Sequence, residues 1–190
     1  QHHMAGKLFQ AETLYKEILQ SEPNNPDALN LLGVINHQAG NLDLAVDLIS
    51  KALKAYPEFP EALNNLGNAY IDLDLFQEAI DSYNLALSIN PKYEVGKNNL
   101  CEAFYKLGNY FHKLSKYEEA TVNYVKALTI KPRHAKASFN LGVTFSAQGK
   151  LEEAAKSYIV SLASDPNQAE PHSNLGNVLV KLKRYNDAVE

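Results

Sequence analysis

The stretch PEALNNLGNAYIDLDLFQEAIDSYNLALSINP, residues 60–91, decides the fold. Leu63, Leu66, Gly67 and Tyr70 recur at spacings of three and four, which gathers them on one stripe of a helix. Phe76, Ala79, Ile80, Tyr83, Ala86 and Leu87 keep the same spacing in a second segment. Two apolar stripes this close in sequence predict a pair of helices packed face to face. Gly67 and Ala79 are small where the axes must approach, and Pro91 stops the second helix.

The pattern repeats. A shift of 34 residues places Ala45 on Ala79, and the same column continues through Ala11, Ala120, Ala154 and Ala188. Pro23, Pro57, Pro91, Pro132 and Pro166 form a second column. A fixed period of this length means a stacked array. The opening HHMAGKLFQA, residues 2–11, falls over NHQAGNLDLA, residues 36–45, so from His3 onward it reads as native repeat and not as a purification tag.

Leu66, Gly67, Tyr70, Ala79, Tyr83 and Pro91 sit at the positions that mark a tetratricopeptide unit, and the chain resembles that family over nearly its whole length. The tryptophan often found early in the unit is replaced by Leu29, Leu63, Ser138 and His172. The resemblance implies an all-α, right-handed superhelical solenoid of antiparallel helix pairs. The expected units are 1–25 (partial), 26–59, 60–93, 94–134 (extended), 135–168 and 169–190 (partial), in a single array that is part of a longer chain. The expectation of a longer chain follows from the absence of polar capping helices at both ends.

One unit breaks the period: Pro91 to Pro132 is 41 residues, seven more than the other steps. Seven residues at 100° each fall only about 20° short of two full turns, so a helix can absorb them and keep its buried face. The spacing predicts a long first helix from about Val95 to Leu114, in which both Leu100-Cys101 and Leu107-Gly108 can take the Leu-Gly position. The competing reading ends that helix near Gly108 and loops out the rest.

Composition narrows the function. A net charge of −4 with scattered Lys and Arg argues against nucleic acid as a partner. No apolar run is long enough to span a bilayer, and no segment resembling a signal peptide opens the chain, so the expected location is the cytoplasm. The one cysteine, Cys101, cannot form an internal disulfide and reads as a small packing residue. His3, His37 and His112 share a repeat position without a metal-ligand pattern, and no phosphate-cradling glycine run or nucleophile motif occurs. The expectation is no enzyme, no cofactor and no metal.

Binding is the remaining reading. If Leu66, Gly67 and Tyr70 face the core, Asn65 and Asn68 lie on the opposite side of the first helix. The Asn65 column continues through Asn99, Asn140 and Asn174, with Leu31 in the remaining unit. Carboxamides spaced by one repeat can pair with the backbone of an extended peptide. The candidate groove is therefore Asn65, Asn68, Asn99, Glu102, Asn140, Asn174 and Asn177, all expected to be exposed. That this face is a concave groove is what the family resemblance implies. Residues 2–49 also resemble the tetratricopeptide region of bacterial O-linked N-acetylglucosamine transferase-like proteins, the SPINDLY group, which implies an array that guides protein substrates to a transferase domain. Three functions stay open: a peptide-binding interaction module, the recognition arm of a larger glycosyltransferase, and a scaffold that self-associates through its terminal repeats.

Overall fold

The computed structural model describes residues 8–184, and every regular element within them is a helix. In chain order these are α1 (Leu8–Ser21), α2 (Pro26–Gln38), α3 (Leu42–Ala55), α4 (Pro60–Asp72), α5 (Phe76–Ile89), α6 (Glu94–Lys113), α7 (Tyr117–Ile130), α8 (Ala135–Ala147), α9 (Leu151–Ser164) and α10 (Ala169–Lys181). His2 and His3, and the second helix expected for the last unit, lie outside the described residues. The chain forms two compact units that divide between Leu100 and Cys101.

In the first unit α2 packs on α3 and α4 on α5, while α3 also packs on α4 and α1 on α2. In the second, α8 packs on both α7 and α9, and α9 on α10. Each pair is built the same way. Leu63 and Leu66 of α4 are buried, as are Ala79, Ile80, Tyr83 and Ala86 of α5. Gly67 lies against the Tyr83 ring, Gly108 against Tyr124 and Gly142 against Tyr158, so the tyrosine column is core packing. In the α2–α3 pair Ile49 takes that place against Gly33.

Two local devices set the helix ends. The residue before proline is pushed to extended backbone, and Tyr56, Asn90, Lys131 and Asp165 accordingly leave the helix with φ between −126° and −149°. Each first helix ends in the opposite way, on a residue in the left-handed region: Gly40, Asp74, Ser115, Gly149 and Lys183. The N–H that follows reaches back five residues, as in Leu75 to Tyr70 O and Lys116 to Phe111 O, both 2.9 Å. This closure satisfies the carbonyls that a helix end leaves bare.

α6 is 20 residues long, against 13 for α2, α4, α8 and α10. It uses both of its Leu-small positions. Cys101 is buried with Sγ 3.3 Å from Ala127 O, and Gly108, two turns on, meets Tyr124. Burial pushes the Cys101 thiol pKa up, with Glu102 adding to the rise and Lys131 opposing it, so the thiol stays protonated and unreactive.

Candidate functional site

The asparagine column is where the structure corrects the sequence. Asn65, Asn68, Asn99, Asn140 and Asn174 are half-buried, not freely exposed, and the first four hydrogen-bond to other asparagines or to tyrosines. Asn65 Nδ2 donates to Asn30 Oδ1 at 3.0 Å. Asn99 Nδ2 donates to Asn64 Oδ1 at 2.8 Å and to Asn68 Oδ1 at 3.2 Å, and Asn68 Oδ1 also accepts from the Tyr83 hydroxyl at 2.7 Å. The second unit repeats the arrangement. Asn140 Nδ2 donates to Asn109 Oδ1 at 2.8 Å and to the Tyr105 hydroxyl at 3.3 Å, while Tyr124 donates to Asn109 Oδ1 at 2.8 Å. Asn174 and Tyr158 line the same cavity.

The cause is geometric. A residue on the flank of a first helix faces the neighbouring first helix as much as solvent, and a helix-to-helix approach of about 8–10 Å lets two carboxamides meet. The helical pattern separates core from flank but does not say that two flanks touch. Sequence reasoning therefore missed Asn30, Asn64, Tyr105 and Asn109. A signal was present: Asn109 follows Gly108 as Asn68 follows Gly67, and Asn30 precedes Asn64 by one period.

Glu102 and Asn177 are exposed as expected. Glu102 lies 3.5 Å from His134 Nε2, whose other nitrogen, Nδ1, accepts from Ala137 N at 3.2 Å and caps α8. The two described members of the histidine column are engaged as well. His37 Nε2 pairs with Asp72 at 2.7 Å, and His112 Nδ1 bonds Thr144 Oγ1 at 2.9 Å. Thr144 spends its own proton on Asn140 O at 2.7 Å, so His112 Nδ1 is the donor to Thr144 Oγ1.

Burial raises the phenol pKa of Tyr83, Tyr124 and Tyr158. The Asp72 charge adds to the rise at Tyr83, the Tyr105 phenol adds to it at Tyr124, where Asn140 opposes it, and Asn174 and Ser146 oppose it at Tyr158. All three rings stay neutral donors at physiological pH. Among the described residues no three His, Cys, Asp or Glu side chains gather as a metal site, and no described helix is long and apolar enough to cross a membrane.

Stacked helix pairs with a repeat-spaced polar row define a helical-repeat protein of the protein-interaction class. Tetratricopeptide repeat models match residues 5–58, 60–93, 108–149 and 144–183, and the chain belongs to the tetratricopeptide repeat family. Among solved structures it is similar to MamA, with 27% identity and a TM-score of 0.67 over 89% of this chain and 95% of that one. It shares the fold of YrrB, described as a TPR protein with an unusual peptide-binding site, at 20% identity and TM-score 0.61 over 92% and 86% of the two chains. It also shares the fold of pilF from Pseudomonas aeruginosa, at 18% identity and TM-score 0.64 over 98% and 82%. No curated protein matches the chain.

Proposed function

We propose that the first-helix face of each unit binds an extended peptide segment of a protein partner. One observation carries this reading. Among the described residues these stitching carboxamides have one end spent on a neighbour and the other end unspent: Nδ2 in Asn68 and Asn109, Oδ1 in Asn99 and Asn140. Within each compact unit an unspent donor and an unspent acceptor therefore lie side by side, which is what the N–H and C=O groups of an extended chain require. The amides are also held in place before any ligand arrives, so little side-chain entropy is lost on binding.

The test uses 12-residue peptides selected from a random displayed library. Glu102→Trp on α6 and Asn177→Trp on α10 place bulk on exposed first-helix positions, and each is expected to weaken binding about tenfold. Val125→Trp, exposed on the second helix α7, is expected to leave it unchanged. Equal losses in all three variants, or none in the first two, overturn the assignment of the face.

A second reading is the substrate-guiding arm of a glycosyltransferase. The resemblance of residues 2–49 to the SPINDLY group supports it, as does the asparagine row Asn65, Asn99, Asn140 and Asn174. Peptide sequencing of the natural gene product beyond Glu190 tests it, since an alternating strand and helix pattern is expected there and a polar capping helix would exclude it.

A further inference from the structure

The two units differ sharply in charge. Residues 1–100 carry six Lys and Arg against 13 Asp and Glu, whereas residues 101–190 carry 12 against nine. The excess of cations has a place in the second unit. A cavity of about 270 Å³ is lined by Asn109, His112, Lys113, Tyr124, Asn140 and Val143. A second, of about 370 Å³, is lined by Tyr158, Asn174, Asn177 and Lys181 among others, and Val143 forms the rib between the two.

The lysines are at the same repeat position, five residues after Gly108 and Gly176, where the first unit has Gln38 and Asp72. Among the described residues neither cavity is lined by a carboxylate and neither ammonium makes an ion pair. Donors converge beside the charge in the first cavity. Asn109 Oδ1 is filled by Tyr124 and Asn140, which leaves Asn109 Nδ2 unspent next to Lys113. An ammonium and an amide N–H at the rim of a half-enclosed cavity suit a carboxylate.

We propose that these two cavities hold Asp or Glu side chains of the bound peptide, so that the second unit selects an acidic segment. The inference rests on the peptide-binding reading above and adds its chemistry. Adjacent cavities are separated by about one helix-to-helix distance, roughly 8–10 Å. A polyproline-II chain brings residues i and i+3 to the same edge about 9 Å apart, so acidic residues three apart reach both.

The experiment measures binding of the whole chain to acetyl-(Ser-Glu-Ala)4-amide and to its Gln counterpart, acetyl-(Ser-Gln-Ala)4-amide. The blocked ends leave side-chain carboxylates as the only anions. The Glu peptide is expected to bind about tenfold more tightly than the Gln peptide, and to lose that advantage in the double variant Lys113→Gln, Lys181→Gln. The same charge removed from second helices, Lys126→Gln with Lys156→Gln, is expected to leave it intact. Equal binding of the two peptides overturns the acidic preference while the peptide-binding reading stands. Equal loss in both double variants also overturns it, because the attraction would then be a general one. Binding of neither peptide overturns the inference and counts against the peptide-binding reading too. Both lysines are exposed, and an unchanged unfolding midpoint in each variant shows that the fold is kept.

Discussion

A methyl group added at Gly67 would sit 2.5 Å from Cε1 and 2.7 Å from Cζ of Tyr83, a ring only 1% exposed and held by Asn68. The ring has nowhere to go. Gly67→Ala is expected to lower stability by about 1–3 kcal/mol despite its better helix propensity, and a denaturant titration checks it. Ser138 gives the opposite case. Its hydroxyl is buried without a partner among the described residues, at the position where other units have Leu29 and Leu63. Ser138→Ala removes an unsatisfied polar group and is expected to raise stability by about 1 kcal/mol; an unchanged or lower unfolding midpoint would mean the hydroxyl is satisfied after all. Both residues stand out in the sequence, Gly67 because it recurs and Ser138 because it breaks an apolar column. The asparagines were half legible. Their column was visible, but their pairing was not, because it depends on contact between elements a full repeat apart. Asn99→Ala shows the difference: a groove residue facing only water would cost almost nothing, whereas here Asn64 Oδ1, on a residue 4% exposed, loses its donor. The expected cost is about 1–3 kcal/mol, read from thermal unfolding before any binding assay.

Turns are the least legible elements. Gly40 and Gly149 announce a left-handed residue, but Asp74, Ser115 and Lys183 adopt φ of 58°, 57° and 60° at the same repeat position without any glycine to mark it. Helix pairing imposes the conformation, and the side chain bears the strain. Ser115→Gly is therefore expected to stabilise the second unit by about 1 kcal/mol, seen as a higher unfolding midpoint. A lower midpoint would mean that the glycine's added freedom in the unfolded chain outweighs the relief of strain. Helices were far more legible than turns, since their buried stripes and proline stops are written in residue type. The extension of α6 to Lys113 follows from the heptad arithmetic, with the boundary displaced by one residue at each end.

At the scale of the molecule, the tyrosine column couples stability to pH. The phenols of Tyr83 and Tyr124 have folded-state pKa values raised chiefly by burial, so the unfolded chain releases those protons first as pH rises. Their contribution is complete below about pH 10 and is lost progressively above it, with each phenol adding about 1.4 kcal/mol per pH unit to the decline. Unfolding midpoints measured from pH 8 to 11.5 should hold level and then fall steeply past pH 10. Tyr83→Phe should blunt the fall, and an unchanged slope in that variant would exclude this phenol as a cause.

The two-turn extension of α6 has a historical consequence. Cys101 and Gly108 both find a partner on α7 because seven residues return the helix almost to its starting angle. A gain or loss of seven residues inside a first helix is thus close to invisible to selection for folding. A gain of five would swing the stripe about 140° toward water and be purged. Descendants of an array built this way should differ in length by heptads within their first helices and by whole repeats elsewhere, so length polymorphism records which steps the core could tolerate.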